Sequence, residues 1–202
     1  MNRNILSSTL RAALVATLAT LLSVTANAAQ SIQVTLDPAQ TTISWTLSAT
    51  MHTVHGTFQL KSGQISFDPV TGTASGELVV DAGSGESGNH SRDDKMHKDV
   101  LETKRYPEIT FLPKKVTGRV PTQGSSTMQV QGTLHIHGGD HELTLSIPVD
   151  ITGNEAKATT SFTIPYESWG MKNPSNLFLH VDNKVQISIV AAGRLKASAS
   201  TH

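Results

Sequence analysis

The chain of 202 residues contains no cysteine, and only 4% of its residues are aromatic. Without thiols there can be no disulfide framework, no thiolate metal ligand and no cysteine nucleophile. Stability therefore has to come from a buried core. Neither sign of charge dominates: Lys and Arg number 16, as do Asp and Glu. Such a balance gives no broad field to attract nucleic acid or anionic lipid, and nucleic acid is excluded as a partner. The one local basic cluster, Lys114, Lys115 and Arg119, is an ordinary solvated strand end. The chain also lacks an internal repeat or a sign of a domain boundary.

No apolar run is long enough for a membrane span. The longest, residues 14–24, is interrupted by Thr17, Thr20 and Ser23. It follows Arg3 and Arg11 and precedes Ala26-Asn27-Ala28, which has small residues where a signal peptidase reads them. The expectation is a cleavable leader over residues 1–28 and a single mature domain over 29–202, in the periplasm or secreted. Loss of Arg3 and Arg11 leaves that domain with a formal charge of −2.

What is present is one alternating run after another. Strands are expected near residues 32–36, 41–47, 53–60, 64–67, 76–80, 108–116, 128–137, 142–151, 159–164 and 184–190. Asp37-Pro38, Asp68-Pro69, Thr71-Gly72, Gly138-Gly139 and Gly153-Asn154 punctuate them as turns. Residues 121–127 read as a polar loop and 197–202 as a loose tail. The glycine- and serine-rich stretch 81–89 reads as a flexible loop. After it, residues 91–102 read as a helix, with Ser91 as N-cap, Asp94 in support and Met96 with Val100 as an apolar stripe. The fold class is mostly β, an antiparallel barrel with one short helix capping a mouth. Residues 81–102 are the expected entrance.

Side chains in a strand alternate between faces, so parity assigns the interior. Ile43, Trp45 and Leu47 point inward, as do Val54, Phe58 and Leu60, then Ile65 and Phe67. Ile109 and Phe111 follow, then Val130, Leu134 and Ile136, then Leu143, Leu145, Ile147 and Val149. Phe162, Ile164, Val185, Ile187 and Ile189 complete the set, with Met96 from the helix. Gly56 and Gly132 share the inward parity, leaving space or permitting curvature. Parity alone leaves two readings open, a tightly packed core or an apolar lumen.

The order of segments resembles the YceI-like family, whose members are described as polyisoprenoid-binding. The matching residues are Leu36-Asp37-Pro38, the strand 42–47, Val54-His55-Gly56-Thr57-Phe58, residues 63–68, Gly88-Asn89 and Arg92-Asp93. Further matches are Lys104-Arg105-Tyr106-Pro107-Glu108-Ile109-Thr110-Phe111, Gly132-Thr133-Leu134-His135-Ile136-His137-Gly138, the strand 143–149 and Ser168-Trp169-Gly170-Met171. They span roughly 31–195. The resemblance implies an extended lipocalin-like barrel and favours the open lumen. The implied ligand is a long apolar molecule such as a polyisoprenoid, an isoprenoid quinone or a fatty amide. It implies no catalytic residue and no required cofactor, although a bound quinone fits the reading. Homodimers are common in such a family, and transient membrane contact is a further expected partner. Two departures stand out. Lys95 occupies the place two residues after Arg92-Asp93 where the family usually has histidine, and Val100-Leu101-Glu102-Thr103 replaces its usual Asp-Phe-Phe.

Nine histidines supply a rival reading. His135 and His137 share outward parity and His141 lies across the hairpin turn, so an exported stress protein binding zinc or copper through these three is the alternative. Solvated rim histidines are the simpler account. A third reading, a hydrolase using Ser168, His180 and Asp182, finds no Gly-x-Ser-x-Gly elbow in the chain.

Overall fold

The computed structural model describes residues 30–50, 52–177 and 179–199. The expected leader and the last residues of the expected tail lie outside them. The described strands are β1 (Gln30–Leu36), β2 (Thr42–Ala49), β3 (His52–Phe67), β4 (Ala74–Glu86), β5 (Glu108–Thr117), β6 (Gly124–Ile136), β7 (Gly139–Thr152), β8 (Glu155–Ile164) and β9 (Val185–Ala199). A helix α1 (His90–Lys95) continues into a π-helical turn, Met96–Val100. All strand pairings are antiparallel. Strands β2 to β9 close into an eight-stranded barrel, with β2 pairing β9 and β3 at the seam.

Strand β1 shares a place in the barrel with β2. It pairs the C-terminal parts of β3 and β9, while β2 pairs their N-terminal parts. The two therefore lie end to end as one broken stave. Pro38 forces the break, because it sets φ and offers no N–H to a ladder. Asp37 stabilises the resulting 3-10 turn by accepting from the Ala39 amide at 2.9 Å. Gly63 and Gly193 flank the break: a Cβ on Gly63 would stand 2.9 Å from the Leu36 side chain, and one on Gly193 would stand 2.6 Å from the Thr35 carbonyl oxygen.

Several expectations need correction. The separate strands expected at 53–60 and 64–67 are one strand, β3. A bulge between Leu60 and Ser62 shifts the register, which is why inward parity changes from Leu60 to Ile65 and Phe67. The supposed loop 81–89 is strand as far as Glu86. The stretch is pinned on both sides: the Ala82 amide donates to the Pro107 carbonyl at 3.0 Å, and the Gln59 amide donates to Ser84 Oγ at 2.8 Å. The helix begins at His90, with Asn89 rather than Ser91 as cap, since the Asn89 side chain accepts from the Arg92 amide at 3.0 Å. Strand β9 runs on to Ala199 because β1 supplies a partner for residues 193–199, so Ala197 belongs to the barrel and not to a tail. The β6–β7 turn is His137-Gly138, with φ of 51° and 75°, and Gly139 already pairs with Ile136. Positive φ at both central residues is what a tight hairpin requires.

Candidate functional site

The barrel encloses an apolar lumen of about 630 Å³, within the range of small-molecule sites, ~300–1,000 Å³. Every residue assigned inward as a ligand contact stands on its wall. Strand β2 contributes Ile43, Trp45 and Leu47; β3 contributes Val54, Phe58, Ile65 and Phe67; β5 contributes Ile109 and Phe111. Leu134 and Ile136 come from β6, Leu145 and Ile147 from β7, Phe162 and Ile164 from β8, and Ile187 from β9. Met96 reaches in from the π-helical turn. Many of these inward side chains, among them Leu47, Phe58, Ile65, Phe111, Ile147 and Phe162, are only half-buried, and no large side chain among the described residues is fully enclosed. A solid core would bury them completely. The interior is hollow.

Gly56 and Gly132 do not leave empty space, contrary to one half of the expectation. The Trp45 ring covers Gly56 and the Phe111 ring covers Gly132, so the missing side chains admit aromatic rings against the wall. The two halves of the lumen differ. Phe67, Ala74, Val116, Met128 and Val130 pack together at the far end. The other end is covered by α1, the π-helical turn and residues 165–177 and 179–183. Leu101, Tyr166 and Met171 pack there against Ile136 and Ile164.

This cover was the part that parity missed. Tyr166, Met171, Pro174, Asn176, Leu179 and Val181 line the mouth but lie in irregular chain, where no period marks a face. The only available signal was apolar residues recurring among Pro, Asn and Lys. The Tyr166 hydroxyl donates to the Asp182 carbonyl at 2.6 Å, and burial pushes its pKa up to about 12, so it remains a donor. Lys95 Nζ donates to the Pro174 carbonyl at 3.2 Å, joining the helix to the crossing segment over the opening. Apart from Thr41, Thr159 and Thr160, and the Tyr166 just described, the polar lining is confined to this mouth: His52, Asn89, Ser91, Arg92, Lys95 and Asn176.

The histidines do not converge. His135 is exposed, its Nδ1 lying 2.7 Å from Asp140 Oδ1. His137 is not on a strand face: it sits in the turn, packs on Tyr106 at 4.7 Å between centroids, and has Nε2 3.6 Å from Glu102. Its side chain is only 14% exposed, which corrects the picture of a solvated pair with His135. His141 stacks flat on Trp169, with centroids 3.8 Å apart and an interplanar angle of 6°. Among the described residues no three His, Asp or Glu side chains are grouped as a metal centre. Nor do Ser168, His180 and Asp182 form a hydrogen-bonded triad; the Ser168 hydroxyl donates to Pro165 instead, at 2.9 Å.

His141 carries a pH prediction. Its Nε2 is buried without a hydrogen-bond partner, and desolvation holds its pKa below the ordinary 6.5, opposed by Asp140 and aided by His135. A depressed histidine pKa favours the folded state while the ring is neutral. That contribution is present above pH 6.5 and is lost as pH falls through the folded value. His141→Phe keeps the stack on Trp169 and removes the titration. Urea melts should show the parent losing more stability than this variant on acidification below 6.5; parallel losses would assign the effect elsewhere.

Comparison with known proteins agrees with this architecture. A family model described as the YceI-like domain matches residues 34–192. The chain belongs to the YceI-like family. It is 28% identical over 142 residues to a UPF0312 protein of Pseudomonas putida, covering 65% of this chain and 71% of that one. A UPF0312 protein of Pseudomonas syringae pv. tomato is 29% identical over 129 residues, covering 60% and 65%. Among solved structures, a polyisoprenoid-binding domain from Saccharophagus degradans, implicated in plant cell wall breakdown, superposes with a TM-score of 0.65 at 18% identity. The match covers 81% of this chain and 98% of that one. Burkholderia cenocepacia BcnA superposes with a TM-score of 0.64 at 22% identity, covering 78% and 98%. At these identities the structures speak to the fold of this YceI-like protein.

Proposed function

We propose that this YceI-like protein holds one long apolar lipid in its lumen, a polyisoprenoid, isoprenoid quinone or fatty amide, as an exported carrier or store. The observation that carries the reading is the hollow interior, walled by aliphatic and aromatic side chains and polar at one end. The binding named for the Saccharophagus degradans neighbour supports it. Burial is worth ~0.8 kcal/mol per methylene, so ten methylenes supply about 8 kcal/mol before association costs. Binding needs no resident cofactor, and no constellation among the described residues calls for catalysis. The leader-like residues 1–28 support a periplasmic or secreted location, where a lipid needs shielding from water. Loading would take transient membrane contact; nucleic acid has no part, and a homodimer is compatible with the fold. The test is transfer of a fluorescent prenyl quinone between two vesicle populations held apart by a dialysis membrane that the protein crosses. Transfer proportional to protein concentration is expected, and transfer no faster than with a non-binding protein contradicts the carrier reading.

A further inference from the structure

The lumen's mouth has a charge that its apolar interior does not explain. Two basic side chains, Arg92 and Lys95, line the opening, and no carboxylate does. Neither has an ion-pair partner within 4.0 Å among the described residues, whereas Lys61 and Lys114 on the barrel's outer face are paired with Glu108 and Glu142. Although desolvation opposes it, the Asp93 carboxyl is held below its ordinary range by the Ser87 hydroxyl, from which it accepts, and by Arg92, which donates to the same hydroxyl without a direct ion pair to Asp93. Arg92 donates through Nε to Ser87 Oγ at 2.7 Å and through Nη2 to the Ser87 carbonyl at 2.9 Å, which fixes the guanidinium at the rim and leaves N–H groups unused. Lys95 spends one donor on the Pro174 carbonyl, at 3.2 Å, and keeps two. Asn89, Ser91 and His52 stand beside them on the same lining.

From this arrangement we infer that the lumen selects an amphiphile with an anionic head, a carboxylate or a phosphate ester, seated between Arg92 and Lys95 with its tail running toward Phe67 and Met128. The inference rests on the lumen being the lipid site. An uncharged head would leave the Lys95 ammonium without a counter-charge, and Arg92 with Asp93 alone, at the edge of a low-dielectric cavity where a counter-charge is worth more than in open water. Lys95 has a second part in this. An anion that takes its ammonium group competes with the Pro174 carbonyl, so arrival of the head loosens the hydrogen bond that ties α1 to Pro174 and its departure restores it.

The test compares heads on a common tail. A neutral fluorophore, N-phenyl-1-naphthylamine, fills the lumen and is displaced by hexadecanoate or hexadecanol, and separately by geranylgeranyl phosphate or geranylgeraniol, at low ionic strength. The parent should prefer each anion to its alcohol by about fivefold, the scale of a partly exposed ion pair reinforced by a second cation. Lys95→Glu should bring that ratio to one or below and Lys95→Gln should reduce it, while the same charge change at Lys196, on β9 beside β1, keeps it. A larger ratio for the carboxylate pair or for the phosphate pair identifies the head. Equal affinity for anion and alcohol, or a ratio that survives Lys95→Glu, overturns the head assignment and leaves the lumen standing. Failure of all four compounds to displace the fluorophore overturns both.

Discussion

Ala158→Trp should abolish high-affinity binding of long-chain lipids while sparing short ones. Ala158 lines the lumen from β8, opposite Val149 on β7 and Ala191 on β9, and so lies toward the end away from the helix. Its neighbours on the same lining, Ala156 and Thr160, are also small, so an indole at 158 projects into open space rather than into a packed wall. If the ring takes the room of about three methylenes, the loss is ~2.4 kcal/mol, roughly fifty-fold in affinity for a chain long enough to reach it. A chain that stops short of the ring should bind as before. Calorimetry across a series of tail lengths reads this directly. A uniform loss at all lengths would mean that the barrel was distorted, and no loss at any length would mean that the tail lies elsewhere.

Gly56→Ala should be strongly destabilising. Gly56 pairs across the sheet with Trp45, and a Cβ there would stand 2.2 Å from the Glu86 carbonyl oxygen and 2.3 Å from the indole ring. The oxygen belongs to β4, whose Glu86 is paired with Thr57, so it cannot withdraw without loosening the β3–β4 pairing. The ring in turn is held against Ile43, Val54 and Ile187 in the mouth-side cluster. Overpacking of this kind costs ~2–4 kcal/mol. Gly83→Ala, in the glycine-rich end of β4, meets only a side-chain oxygen at 3.2 Å and should change stability little. Urea midpoints for the two variants should differ widely. Equal midpoints would show that the Trp45–Gly56 contact does not constrain the barrel.

How far these features were legible in the sequence follows from where strands alternate. Ile43, Trp45 and Leu47, or Leu145 and Ile147, could be placed on the wall because period two links residue number to face. Bulges break that link, and the one near Lys61 was visible only as two strands with a gap between them. Residues 81–86 look like a loop because glycine and serine carry no strand preference of their own. Their conformation is imposed from outside, by Gln59, Pro107 and the packing of Phe58 and Met96 on Gly85. The cover over the mouth was illegible for a related reason. Tyr166, Met171 and Val181 are held by contacts such as Tyr166 to Asp182 and Asn173 to Val181, and these join residues with no periodic relation. His137 was misassigned because a left-handed backbone at a non-glycine residue has no local signature. Lys95, in contrast, was marked in advance by its departure from the family pattern, and it lies on the mouth itself.

If the lumen is a lipid site and not an unfilled core, the protein should leave its native compartment loaded. Native mass spectrometry of the mature protein, purified from its own compartment and followed by solvent extraction, tests it most directly. One bound long-chain species near one per chain is expected, released by organic solvent and retained through dilution. A chain that flies empty from freshly prepared native material, with nothing extractable, would contradict it.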